Sequence, residues 1–314
     1  MSDAGNDIDL SKAQTDAEWM ARLDELGEEL GWFEPLGTAH AAFFCEGSAD
    51  VLLVSFEALA EIRAGGGRQR PRGYEVASAR GWASLSLVAR GEPWFRQPPV
   101  WELIDRLTDD GFFDRFDRVV FFGTGACGHA ACAYAVAAPG ATVLAVAPQA
   151  TLGTDRAAWD TRFPEARRLD FTTRYGYAPD MVEAAAQVFI IHDPALRLDA
   201  MHASLFRGPN VTALRTRWLG RDTARELHAM DVLGPALTQV CAGTLTRGAF
   251  YTLFRRRHRF GTYLMRLALR TEALGRPWLT LLVTRAALRV IDSPRLRAMH
   301  DAAQQAQPRE PAEP

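Results

Sequence analysis

The passage that most constrains this chain runs from Arg118 to Val146, "RVVFFGTGACGHAACAYAVAAPGATVLAV". An apolar run meets a glycine-rich turn. A small-residue segment follows, predicting a helix over Ala126–Ala138 that Pro139 and Gly140 stop, and then a second apolar run. Short, uniformly apolar runs are the mark of strands buried on both faces, and a helix between two of them makes a parallel crossover. The pattern recurs in "AAFFC" (41–45), "VLLVSF" (51–56), "ASLSLVA" (83–89), "AAAQVFIIHD" (184–193) and "NVTALRTR" (210–217), with helical spacing in "VWELIDRLTDDGFF" (100–113) and "DAMHASLF" (199–206). The expectation is an α/β fold with a doubly wound, mostly parallel sheet.

The ends differ from the middle. Residues 1–15 are polar and read as a disordered tail, and the stretch 64–73, "AGGGRQRPRG", reads as a loop. Trp19, Met20, Leu23, Leu26 and Leu30 recur at helical spacing. From about Asp231 every segment reads as helix. The expected organisation is an α/β domain over 16–235, a C-terminal helical appendage over 236–304 and a second disordered tail over 305–314.

Composition removes several function classes. A net charge of -2 over 314 residues gives no bias toward nucleic acid, so no nucleic-acid partner is expected. No apolar run approaches the length of a membrane span, so an integral membrane protein is not expected either. The acidic N-terminus does not resemble a signal peptide, which points to a cytoplasmic location. Of 36 basic residues, Lys12 is the single lysine. That arginine bias fits a GC-rich, bacterial coding sequence. Because Lys12 falls in the expected tail, chemistry that needs a Schiff-base or phosphate-loop lysine is excluded. The four cysteines form no metal-binding spacing, and neither a metal nor another cofactor is expected.

The glycine turn, "FFGTGACGHAA" (121–131), admits three readings. Gly123, Gly125 and Gly128 spell a dinucleotide-binding loop, yet the following strand ends "VLAVAPQAT", with no acid before Asp155 to hold a ribose. In the second reading the turn is a nucleophile elbow whose tip is Gly125. In the third the elbow sits two residues later, with Cys127 as a nucleophile at a helix N-terminus, where a lowered thiol pKa is expected.

On these residues the chain resembles the α/β-hydrolase superfamily, over roughly residues 40–235. The resemblance implies a sharp strand-to-helix turn with glycines at Gly123 and Gly128 and the nucleophile position at Gly125, which has no side chain. It implies a triad acid at Asp193, with Asp199 as a fallback. The loop after the last strand, where the resemblance implies a histidine, carries Arg221 and Asp222, and the nearest histidine is His228. It further implies an oxyanion site near Ser55 and Phe56 and at the amide of Ala126, and a lid within "TTRYGYAPD" (172–180), where Arg174, Tyr175 and Tyr177 are candidate pocket residues. His192 and His202 flank the acid region and read as structural.

Three functional expectations follow. The first is an α/β-hydrolase-like protein without the Ser-His-Asp triad, non-catalytic or strongly modified, holding a small-molecule or glycan-related ligand. The second is an active hydrolase for ester or acyl transfer, with Cys127 as nucleophile. The third rests on "LFRRRHRFGTYLMRLALR" (253–270), where Arg255, Arg256 and Arg257 lie among aromatic residues: an anion- or partner-binding module meeting an anionic or protein partner.

Overall fold

The computed structural model describes residues 8–306; the remaining residues of both expected tails lie outside the described range. Eight strands form one sheet: β1 (Gly31–Leu36), β2 (His40–Cys45), β3 (Ser48–Ala58), β4 (Trp82–Ala89), β5 (Val119–Thr124), β6 (Thr142–Val146), β7 (Gln187–His192) and β8 (Val211–Arg215). Their order is β1-β2-β4-β3-β5-β6-β7-β8. β2 pairs antiparallel with both β1 and β4, and every pairing from β4 through β8 is parallel.

Side chains alternate between two buried faces, as a pleated strand requires. Leu52, Val54, Phe56, Phe121, Val143, Ala145, Val188 and Ile190 belong to one core. There they meet the helix Pro98–Asp109 and the helix Gly125–Ala133. Val51, Leu53, Val120, Phe122, Leu144, Val146, Phe189 and Ile191 belong to the other. Leu233, Leu237 and Val240 of the helix Leu233–Cys241 cover that face, followed by Phe250, Phe254, Leu264 and Leu296 from later helices. The C-terminal helices therefore share a core with the sheet. Burial of each such side chain contributes about 1.5–3 kcal/mol.

Three expectations need correction. Residues 8–15 do not form a free tail: Leu10 and Ala13 are buried with Trp19 and Leu23. Arg63 and Arg70 hold this segment by donating to the carbonyls of Ala13, Gln14 and Ile8. The expected loop 64–73 ends in a helix, Arg72–Ser78. And the helix after the glycine turn begins at Gly125 and is α-helical only to Ala133, tightening into a 3-10 turn over Tyr134–Ala137 before Pro139.

Candidate functional site

The turn between β5 and its helix is a sharp elbow with Gly125 at its tip. Gly125 has a φ of 56°, in the left-handed region that glycine adopts most cheaply. A Cβ placed there meets no atom within 4 Å, so the tip has room for a side chain and lacks one. The two flanking glycines are different. A Cβ on Gly123 would lie 2.1 Å from the carbonyl oxygen of Cys127, and one on Gly128 would lie 3.2 Å from both the Gly123 oxygen and Pro148. These two let strand, turn and helix close on one another.

Cys127 is the third residue of the elbow helix and is 2% exposed. Burial pushes its thiol well above the usual range, and the carboxylates of Glu61 and Glu57 push it the same way. The lowering expected at a helix N-terminus does not occur, because the thiol faces the core and not the open end of the helix. His129, also on the buried face, has its Nδ1 3.1 Å from the carbonyl of Gln149. Burial, with Arg96 adding to it, lowers its pKa to about 3.

Two carboxylates, Glu57 and Glu61, lie beside the elbow. Glu57, near the end of β3, accepts hydrogen bonds from the amides of Arg72 and Gly73 at 2.8 and 2.9 Å and from the Ser55 hydroxyl at 2.8 Å. It thereby supplies, from a distant strand, the N-terminal capping of the helix Arg72–Ser78. Gly73 is required for this contact, since a Cβ there would sit 2.2 Å from Ser55 Oγ. Glu61 is exposed, and the Thr124 hydroxyl lies 3.4 Å from it, within donating reach. Desolvation is the main cause of its raised pKa; Thr124 and Arg72 oppose the rise, and the charges of Glu57 and Asp222 add to it. Arg72 donates to His228 Nδ1 at 2.7 Å. None of Glu57, Glu61, Arg72 and His228 is adjacent to the elbow in sequence. Their signal was an acid within β3 followed by a second acid four residues on.

Ser55 and Phe56 do not end their strand, because β3 continues to Ala58. Ser55 is fully buried and bonds Glu57 and Ser86, while the Phe56 ring stacks on Tyr134 and meets Phe95 edge-on. Ala126 packs against an aromatic cluster that includes Trp94, Phe163 and Phe171.

Asp193 follows β7 and is 1% exposed. Its carboxylate accepts from three backbone amides: Ala195 at 2.9 Å, Trp218 at 3.0 Å and Gly220 at 3.0 Å. It ties the loop after β7 to the loop after β8 and holds Trp218 at a φ of 63°. Arg221 and Asp222 are exposed in that second loop. Asp199 belongs to a separate buried network. Arg162 bridges it to Asp160, and Asp160 lies 2.8 Å from His202 Nε2. Burial opposes the charge on Asp160, but bonds from His202 and Arg162 outweigh it and hold the carboxyl well below the usual range. His192 is buried at the end of β7.

Arg174, Tyr175 and Tyr177 line one cavity of about 240 Å³, together with Arg156 and Phe171. Tyr175 donates to Asp105 at 2.8 Å and packs on Tyr134, and Arg174 pairs with the same aspartate. Of the three C-terminal arginines, Arg256 pairs with Asp231, Arg255 is exposed and Arg257 lies over the Phe254 ring. They sit on a 3-10 turn, Arg255–Arg259, and not within a continuous helix over 253–270.

No protein-family model matches the chain, and no curated protein matches it significantly. Among solved structures it is similar to EstE1, a thermophilic carboxylesterase cloned from a metagenomic library, at 12% identity with a TM-score of 0.42, covering 75% of this chain and 98% of that one. An esterase from the archaeon Pyrobaculum calidifontis is similar at 13% identity and the same TM-score, covering 76% and 93%. The glycosylation-associated protein complex Gap123 of Streptococcus agalactiae is similar at 10% identity and TM-score 0.42, covering 64% of this chain and 44% of that chain. No helix among the described residues is long and apolar enough to cross a membrane. The eight-stranded sheet reversed only at β2 and the sharp elbow after β5 give this chain the topology of an α/β-hydrolase fold.

Proposed function

We propose that this protein does not perform acyl transfer at its elbow and instead binds a small molecule. The observation that carries the reading is Gly125: the tip of the elbow holds the left-handed backbone that presents a nucleophile, has space for a side chain, and offers only a hydrogen atom. The surroundings support it. Acyl transfer needs donors aimed at a developing oxyanion. Beside this elbow stand Glu57 and Glu61, whose charges oppose one. Asp193, at the position of a triad acid, spends its carboxylate on three backbone amides. The cavity lined by Arg156, Arg174, Tyr175 and Tyr177 is the candidate ligand site.

Cys127 is a poor alternative nucleophile, because its thiol is buried and held protonated. Turnover of short-chain p-nitrophenyl esters tests the reading. The protein and its Cys127→Ala variant are expected to match the uncatalysed rate. Gly125→Ser is expected to gain little, since restoring the hydroxyl restores neither a base nor oxyanion donors. Turnover by the unaltered chain that Cys127→Ala abolishes would overturn the reading in favour of the thiol.

A further inference from the structure

A second cleft, of about 350 Å³, is lined by Arg215, Arg217, Trp218, Tyr251, Phe254, Arg257 and Tyr263. Its walls come from three parts of the chain: the end of β8 and its following loop, the helix Arg247–Phe254 with the turn after it, and the start of the helix Gly261–Ala273. It contains three guanidinium groups and no carboxylate. Among the described residues no ion pair joins Arg215, Arg217 or Arg257 to an acid. Three acids are committed elsewhere, Asp231 to Arg256, Glu226 to Arg266 and Asp193 to backbone amides, and the exposed Asp222 of the same loop does not line the cleft. The three arginines of the cleft are left without an acidic partner among the described residues and lie beside aromatic residues.

The cleft is also preorganised. Arg257 lies over the Phe254 ring with its carbon 4.5 Å from the centroid, and donates to the Phe254 carbonyl at 2.9 Å. Tyr251 Oη accepts from the Arg215 amide at 3.0 Å, fixing the outer edge of β8. Trp218 is held in a left-handed conformation by the Asp193 carboxylate, and Arg270 covers its ring at 5.2 Å. Left-handed backbone at a bulky residue is costly and persists where surrounding structure over-determines it. The same positive field reaches His258, whose pKa is lowered by burial first and then by Arg257 and Arg255.

We propose that this cleft binds a phosphate ester whose alcohol part is an aromatic or heterocyclic ring, the guanidinium forks taking the phosphoryl oxygens and the aromatic walls the ring. The loop between β8 and its helix, which would otherwise carry a triad base, is thereby part of an anion site, with Asp193 as a positioning residue. The site is separate from the elbow and does not depend on the elbow's being inactive.

Calorimetric titration with phenyl phosphate tests it, with inorganic phosphate and benzyl alcohol as comparisons. Saturable, salt-sensitive binding of phenyl phosphate is expected, tighter than that of inorganic phosphate, with none for benzyl alcohol. Arg215→Gln and Arg257→Gln together should weaken it about tenfold or more, as expected for lost charge-assisted bonds. Arg255→Gln, outside the cleft, should leave it within about twofold. Arg215 is exposed and Arg257 only partly buried, so an unchanged melting temperature will show that the variants fold. Absence of saturable binding, equal weakening by Arg255→Gln, or full affinity in the double variant would each overturn the proposal.

Discussion

At the scale of single residues, three glycines within six positions have three different physical roles. Gly123 and Gly128 are spaces that backbone and Pro148 fill, whereas Gly125 is a conformation with free space above it. The distinction gives a sharp prediction. Gly125→Ala costs only the left-handed penalty of about 1–2 kcal/mol. Gly123→Ala must displace the Cys127 carbonyl and should cost several-fold more, or prevent folding altogether. Urea denaturation of the two variants checks this; equal losses would contradict the assignment of Gly125 to the tip. The glycine-rich turn between a strand and a helix was legible in sequence from Gly123, Gly125 and Gly128, although the helix itself starts earlier and ends sooner than its small-residue segment suggests. Which way Cys127 points was not legible. A thiol at a helix N-terminus is activated or inert according to the face it occupies, and the face depends on where the helix begins.

At the scale of elements, strands were easiest to read where both faces are buried. Val119–Thr124, Thr142–Val146 and Gln187–His192 carry apolar residues on both faces, so their runs are unbroken. β1 went unread because "GWFEPL" is a partly buried edge strand with glycine and proline in it. The helix Arg72–Ser78 was hidden for another reason. Its own sequence begins with Pro71, Arg72 and Gly73, and the group that satisfies its first amides is Glu57, fifteen residues upstream in β3. Caps supplied from elsewhere leave no local signal. The loop after β8 depends likewise on Asp193. Replacing Asp193 with Ala removes the acceptor for the Trp218 and Gly220 amides, so the loop should loosen. Limited trypsin digestion after Arg217 and Arg221 is then expected to speed up at least several-fold at unchanged global fold. Cleavage at the original rate would mean that other contacts hold the loop.

At the scale of the whole molecule, the two faces of one sheet are covered in different ways. The first is closed by helices interleaved with the strands, the second largely by the chain's C-terminal third. The sequence suggested a boundary near residue 235 because strand-like runs stop there. Yet Leu237, Val240, Phe250, Phe254 and Leu264 share a core with Val120, Phe122 and Leu144. Removing residues 246–314 should therefore expose a large apolar face of the sheet and give an aggregating protein without a cooperative thermal transition. A truncated chain that melts cooperatively would show that the C-terminal helices form an independent unit. The cavity beside Tyr175 and the arginine cleft beside Trp218 were only half legible. Their local residues stood out as aromatic and basic stretches, but Arg215 and Arg217 meet Arg257 only through the fold.

The central claim is that the elbow has kept its geometry without a nucleophile. Intact-mass spectrometry after saturation with a fluorophosphonate, and separately with a thiol-reactive activated ester, measures it most directly. The native protein is predicted to show no stoichiometric adduct with either reagent. A single adduct per chain, mapped by peptide analysis to the elbow segment 121–131, would contradict it.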